Sequence, residues 1–295
     1  MLPDSTKQTI KSLKKQYDQL KIGKESLLKL LEEAELPELV YNSNAIENST
    51  LTLKETERIL LELEVVRNVS VRELFEAKNL ARVAEYLHSK PDLPITIDNI
   101  LLLHRMLIGG INDSIAGRLR KEGEYVRVGT HIAPPPEHVK PFLETLSVSF
   151  SSSHDIYFLE NIAYYHLEFE RIHPFCDGNG RIGRVLINQQ LASLGYPPVI
   201  IRNKSKHEAY YPQFYKYQTT RGMRETKGMA QLLALGLLES LHKRVAYLKG
   251  LTIIKLNDYA KQNDLALNAQ LNAAKRQTIP AFREKGVWKI GVNGN

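Results

Sequence analysis

His173-Pro174-Phe175-Cys176-Asp177-Gly178-Asn179-Gly180-Arg181-Ile182-Gly183-Arg184 is the stretch from which the rest of the chain is best read. Pro174 cannot continue a helix, so the preceding helix is expected to end near His173, leaving the imidazole at a helix-to-loop junction. Gly178, Asn179 and Gly180 supply backbone freedom and free amides. They stand directly before an amphipathic run (Ile182, Val185, Leu186, Leu191, Leu194) closed by Gly195, which predicts a helix opening on an anion nest. Arg181 and Arg184, three apart, project from its first turn as bidentate donors. Asp177 adds an oxygen ligand for a divalent ion that bridges phosphates. A base, a carboxylate, a nest and two arginines within this stretch point to phosphoryl or nucleotidyl transfer, and no Walker A sequence occurs anywhere.

Outward from that loop the chain reads as mostly α. Leu159, Ile162, Ala163, His166 and Phe169 fall at helical spacing just before it, and residues 140–150 repeat the pattern. His166 shares a face with His173 and is expected to be a buried, hydrogen-bonded residue. Residues 117–136 differ: Glu124 to Val128, then Gly129 and three prolines, predict a short hairpin. Helices are predicted over 71–88 and 97–107, the first broken by Pro91 and Pro94 and the second by Gly109 and Gly110. Thr52 and Glu55 form a capping box for a helix through Leu63. Opening helices are expected to stop before Pro37, leaving 38–48 as a short separate helix.

The 295 residues are 43% apolar and 25% charged, which excludes disorder and collagen. A single cysteine, Cys176, excludes an intrachain disulfide and a cysteine-based zinc site and points to a reducing cytoplasm. His131 and His138 lack a third ligand at useful spacing. No apolar leader or membrane span is read. Forty Lys and Arg against 33 Asp and Glu leave +7, of which +4 lies from Leu251 onward. That excess raises the question of a polyanionic partner.

The loop resembles the Fic motif, His-x-Phe-x-Asp/Glu-Gly-Asn-Gly-Arg-x-x-Arg, at every fixed position: His173, Phe175, Asp177, Gly178, Asn179, Gly180, Arg181 and Arg184. The resemblance implies a mostly helical Fic-type domain with a β-hairpin flap, moving AMP from ATP onto a Ser, Thr or Tyr hydroxyl of a protein held along residues 117–136. It makes His173 the general base and Phe175 the buried anchor. Asp177 becomes the Mg2+ ligand. Asn179 and the loop amides, with Gly178 and Gly180, would stabilise charge on the α-phosphate, while Arg181 and Arg184 grip the outer phosphates. Related Doc-type kinases change the glycine at 180, so its presence favours AMP transfer. Tyr210 and Tyr211 resemble the region that lines the adenine pocket, with helix packing as the equal alternative.

Ser43 to Asn48 resemble the inhibitory motif Ser/Thr-x-x-x-Glu-Gly/Asn, in which Glu47 would pair with Arg184 and keep it from the γ-phosphate. Some relatives use that glutamate to remove AMP from a modified target, a direction left open here, as is a homodimer. The expected division is an N-terminal helical region over 1–90, a Fic catalytic domain over 91–245 and a C-terminal module over 250–295. That module, with helices over 256–263 and 267–276 and a hairpin after Ile279, resembles a winged helix and raises DNA as a partner. A nucleotide-sensing DNA-binding regulator is therefore the alternative to a self-inhibited cytoplasmic adenylyltransferase. The intact base and metal ligand favour the enzyme.

Overall fold

The computed structural model describes residues 1–65, 69–152, 155–219 and 225–294. In chain order the elements begin with α1 (Asp4–Leu20), α2 (Glu25–Ile46), α3 (Leu53–Glu57), α4 (Val71–His88) and α5 (Ile97–Ile108). A hairpin of β1 (Arg127–Val128) and β2 (His131–Ile132) follows, then α6 (Pro136–Ser152), α7 (Phe158–Ile172), α8 (Asn179–Ser193), α9 (Tyr211–Thr219) and α10 (Lys227–Leu248). The chain closes with β3 (Thr252–Lys255), α11 (Leu256–Gln262), α12 (Leu267–Lys275), β4 (Ala281–Glu284) and β5 (Val287–Val292). The mostly helical expectation holds, and among the described residues no helix is long and apolar enough to cross a membrane.

Local chemistry explains most boundaries. The Thr52–Glu55 capping box forms in both directions, and the helix it opens continues as a π-wound turn over Arg58–Glu62. Ser70 and Thr96 accept from the amides of Glu73 and Asn99 and so start α4 and α5. Two expectations need correction. The segment 38–48 is not a separate helix, because α2 runs unbroken through Pro37 to Ile46. A proline inside a helix costs about 3 kcal/mol. The turns after it hold regardless: Val40 and Ile46 are fully buried, and Asn42 donates to the Glu38 carbonyl at 2.8 Å. The helix expected at Lys140 starts at Pro136 instead, where a missing amide hydrogen is no loss in a first turn.

The chain divides into two compact units. One comprises Pro37–Gly195 and Ile200–Ala230 and carries the whole loop from His173 to Arg184; the other comprises Met1–Leu36, Tyr196–Val199 and Gln231–Asn295. In the first, Phe169, Ile172, Phe175, Ile182 and Leu103 are buried around the junction of α5, α7 and α8. In the second, β3, β5 and β4 form an antiparallel sheet in that order, β3 being a strand absent from the sequence expectations. Leu256, Ala274, Ala281 and Ile290 make its core. Arg283 is paired with Glu239 and Lys289 with Glu284, so two of the tail's cations are already neutralised.

Candidate active site

The loop is held from inside. His173 caps α7 with φ +50, its amide bonding the Phe169 carbonyl at 2.9 Å, so the chain turns sharply where Pro174 forbids further helix. Phe175 is fully buried. The Asn179 side chain braces the turn from both ends: its Oδ1 accepts from the Phe175 amide at 2.9 Å and its Nδ2 donates to the Phe175 carbonyl at 2.8 Å. With both polar atoms so engaged, Asn179 acts on the loop's shape. Gly178 stands at φ +83 as the residue before α8, and no side chain caps that helix. Its first amides therefore keep their capacity for an anion, with the helix dipole behind them.

Carboxylates and guanidinium groups ring this nest. Arg184 is almost fully buried; its Nε donates to Ser43 Oγ at 3.0 Å, and its Nη2 to the Ser43 carbonyl and Glu47 Oε1, each at 2.8 Å. Burial disfavours the Arg184 charge, but Glu47 more than restores it and raises the group's pKa. A Cβ at Gly180 would overlap the Glu47 carboxylate where it now lies. The Glu47 carboxylate thus rests against the nest. Arg181, also buried, has Nη2 3.1 Å from Asp177 Oδ1 and Nη1 3.0 Å from Glu76 Oε1, while its Nε has no hydrogen-bond acceptor. Asp177 also pairs with Arg72 of α4. Although burial opposes it, Arg181 and Arg72 together hold the Asp177 carboxyl below its usual range.

His173 Nδ1 lies 3.3 Å from the Glu170 carbonyl, an acceptor, which puts the proton on Nδ1 and the lone pair on Nε2. Burial pushes its pKa down to about 4, so the ring is neutral at ordinary pH. Burial does the same to His104, to about 4, and to His166, to about 3. Unfolded histidines titrate near about 6.5, so below that pH the unfolded chain binds three protons that the folded chain refuses. Glu170 has the opposite sign: burial first, then Glu47, push it up to about 8, which favours folding as pH falls. The three histidines outweigh the one carboxyl. Unfolding free energy measured in urea should drop by about 3 kcal/mol from about pH 7 to about pH 5, and a rise would contradict the assignment.

Comparison with known proteins places this geometry. Residues 94–191 match the model of the Fic/DOC family. Over those residues the chain is similar to the Fic/DOC family. It is 35% identical over 176 residues to the protein adenylyltransferase Fic of Nematostella vectensis, over 58% of this chain and 41% of that protein. The chain thus spans less than half the length of the curated relatives it matches. Among solved structures, a Fic domain containing signaling protein from Bacteroides thetaiotaomicron aligns with TM-score 0.74 at 26% identity, covering 82% of this chain and 97% of that one. Fic-1 from C. elegans aligns with TM-score 0.70 at 25% identity, covering 84% and 74%.

The structure brings Ser43 and Glu47 of α2, outside the matched residues 94–191, onto Arg184 of the loop that holds His173, Phe175 and Asp177 to Arg181. Tyr210 lies there too, buried, its hydroxyl 2.8 Å from His166 Nε2. Tyr211 donates to the Ile46 carbonyl at 2.7 Å and so holds the end of α2 that presents Glu47. Both tyrosines serve packing and support in this arrangement, and His166 is the buried, bonded residue expected of it. His131 instead reaches the Arg171 carbonyl at 2.9 Å.

Five residues of the site were not anticipated: Arg72, Glu76, His104, Arg120 and Glu170. Glu170 left a trace in the sequence as Gly183, a glycine inside α8. A Cβ at Gly183 would come within 2.5 Å of Glu170 Oε1 and 2.9 Å of the His166 ring. Arg120, 4% exposed, donates to the carbonyls of His173 at 2.8 Å, Glu124 at 2.9 Å and Pro134 at 2.8 Å. One guanidinium thereby ties the base of the hairpin to the Fic loop. Lysine has one ammonium and cannot span those directions. Arg120→Lys should destabilise the chain by about 3 kcal/mol in urea unfolding, since buried carbonyls lose charged donors. A loss under about 1 kcal/mol would mean that the contacts are dispensable.

Proposed function

We propose that the chain is a self-inhibited protein adenylyltransferase, moving AMP from ATP to a hydroxyl of a protein side chain with release of pyrophosphate. The observation that carries this reading is the nest itself: uncapped α8 amides flanked by Arg181 and Arg184, in one loop with a histidine held neutral. The relatives named protein adenylyltransferase support it.

The residues act as follows. The amides at the start of α8 and the two arginines bind the outer phosphates and turn the α-phosphorus towards the acceptor. His173 Nε2 takes the acceptor hydroxyl's proton as the new oxygen–phosphorus bond forms and the bond to pyrophosphate breaks. The unpartnered Nε of Arg181 is a buried donor for which a phosphate oxygen is a suitable acceptor. Asp177 would hold Mg2+ in exchange for one of the two arginines with which its carboxylate is now paired. No group of three metal-binding side chains forms among the described residues, so the ion would rest mainly on phosphate oxygens and water, as Mg2+ prefers. When bound, it neutralises phosphate charge and eases departure of pyrophosphate.

The hairpin is the proposed holder of the target chain. Its edge is open, and Tyr125, Val128 and Ile132 are exposed at 65%, 48% and 71%. An extended peptide pairing with that edge would bring its hydroxyl over the loop. Incubation with labelled ATP, Mg2+ and a lysate tests the function. Label on protein, absent with His173→Ala, is expected; ATP turnover that labels only small molecules would refute it.

A further inference from the structure

His104 has no assigned part in AMP transfer, yet both of its ring nitrogens are engaged at the loop. It is fully buried on α5, and its ring lies flat on Phe175, centroids 3.7 Å apart and planes 3° from parallel. Nδ1 accepts from the Gly117 amide at 3.0 Å, at the start of the hairpin segment. That bond fixes the tautomer: the proton is on Nε2, which donates to the Asp177 carbonyl at 3.0 Å.

The geometry points to His104 as a positioning residue for the phosphate nest: by pinning the Asp177 carbonyl it aims the Gly178 amide, and by holding Gly117 it couples the nest to the hairpin. In a trans peptide the C=O and N–H point in opposite directions. A carbonyl drawn back to α5 therefore turns the following N–H outward, to the side of the Asp177 carboxylate, which the Gly178 backbone reaches by a hydrogen bond. Gly178 can adopt φ +83 for this, with Leu107 and Ile108 of the same helix closing in behind it: a Cβ there would meet Ile108 Cδ1 at 3.1 Å and Leu107 Cδ2 at 3.2 Å. Helix α5 thus shapes the turn three times over, through its apolar wall, the stacked ring and the Nε2 donor. Gly117 is fitted as closely, since a Cβ there would lie 2.8 Å from Arg105 Cβ. This inference rests on the proposed nucleotide site.

The test is equilibrium binding of ATP and of adenosine, with Mg2+, to the full chain carrying Glu47→Gly, with and without changes at His104. Adenosine lacks phosphates and serves as the internal reference. His104→Phe keeps the stack and removes both polar contacts, whereas His104→Gln can return a donor near the Nε2 position. ATP affinity should fall about tenfold or more with His104→Phe, stay within about threefold with His104→Gln, and adenosine affinity should not change. Unchanged ATP binding by His104→Phe, or equal losses for ATP and adenosine, overturns the inference. If His104→Phe does not fold, His104→Gln must bind ATP more tightly than His104→Asn, which can offer only the contact to Gly117; the reverse order overturns the inference. Should the parent chain itself bind no ATP, the nucleotide site fails instead, and the two failures are distinguished.

Discussion

Glu47→Gly is expected to raise AMP transfer by about 10- to 100-fold at limiting MgATP, the equivalent of one or two charge-assisted hydrogen bonds no longer to be displaced. In the resting chain the Glu47 carboxylate holds Arg184 Nη2 at 2.8 Å and rests against Gly180, where a nucleotide's outer phosphate would have to lie. The Glu47 side chain is 40% exposed, so it can swing away without unpacking α2. Arg184 is only 7% exposed and stays in place through Ser43, whose hydroxyl and carbonyl accept from Nε and Nη2. Removing Glu47 should therefore free one side of a site that remains built. Initial rates against ATP concentration would check this, and equal rates for both chains at every ATP concentration would refute self-inhibition through Glu47.

His173→Ala, made in the Glu47→Gly chain, is expected to lower transfer by at least about 100-fold, the lower range of what a positioned general base contributes. ATP binding should persist within about threefold, because the nest and both arginines are untouched. The imidazole is suited to its task by its surroundings: burial keeps it neutral, and the Glu170 carbonyl leaves Nε2 with the lone pair. A combined measurement of single-turnover transfer and ATP affinity separates the two effects. Retained transfer would remove His173 from the chemistry, while lost ATP binding would make it a structural residue only.

The loop from His173 to Arg184 was legible because each requirement is local: a proline that stops α7, glycines that open the nest, arginines one turn into α8. Glu47 was legible by resemblance alone, since nothing within residues 38–48 reveals a partner 137 positions away. Pro37 misled because its local rule was overridden by the burial of Val40 and Ile46 beyond it. Strand β3 has only four residues, too few for alternation to show. His104 and Arg120 could not be found by spacing, because their roles lie in bonds to backbone atoms 73 and 53 residues away, and any carbonyl could have served. Gly183 was the one local sign of such a contact, a helix-interior glycine that makes room for Glu170 and His166.

The most direct test is a crystal structure of the Glu47→Gly chain with Mg2+ and a non-hydrolysable ATP analogue. The account predicts the outer phosphates on the amides that open α8, between Arg181 and Arg184, with the α-phosphorus turned towards His173 Nε2. A triphosphate bound elsewhere, or an imidazole whose Nε2 faces away from it, would contradict the account.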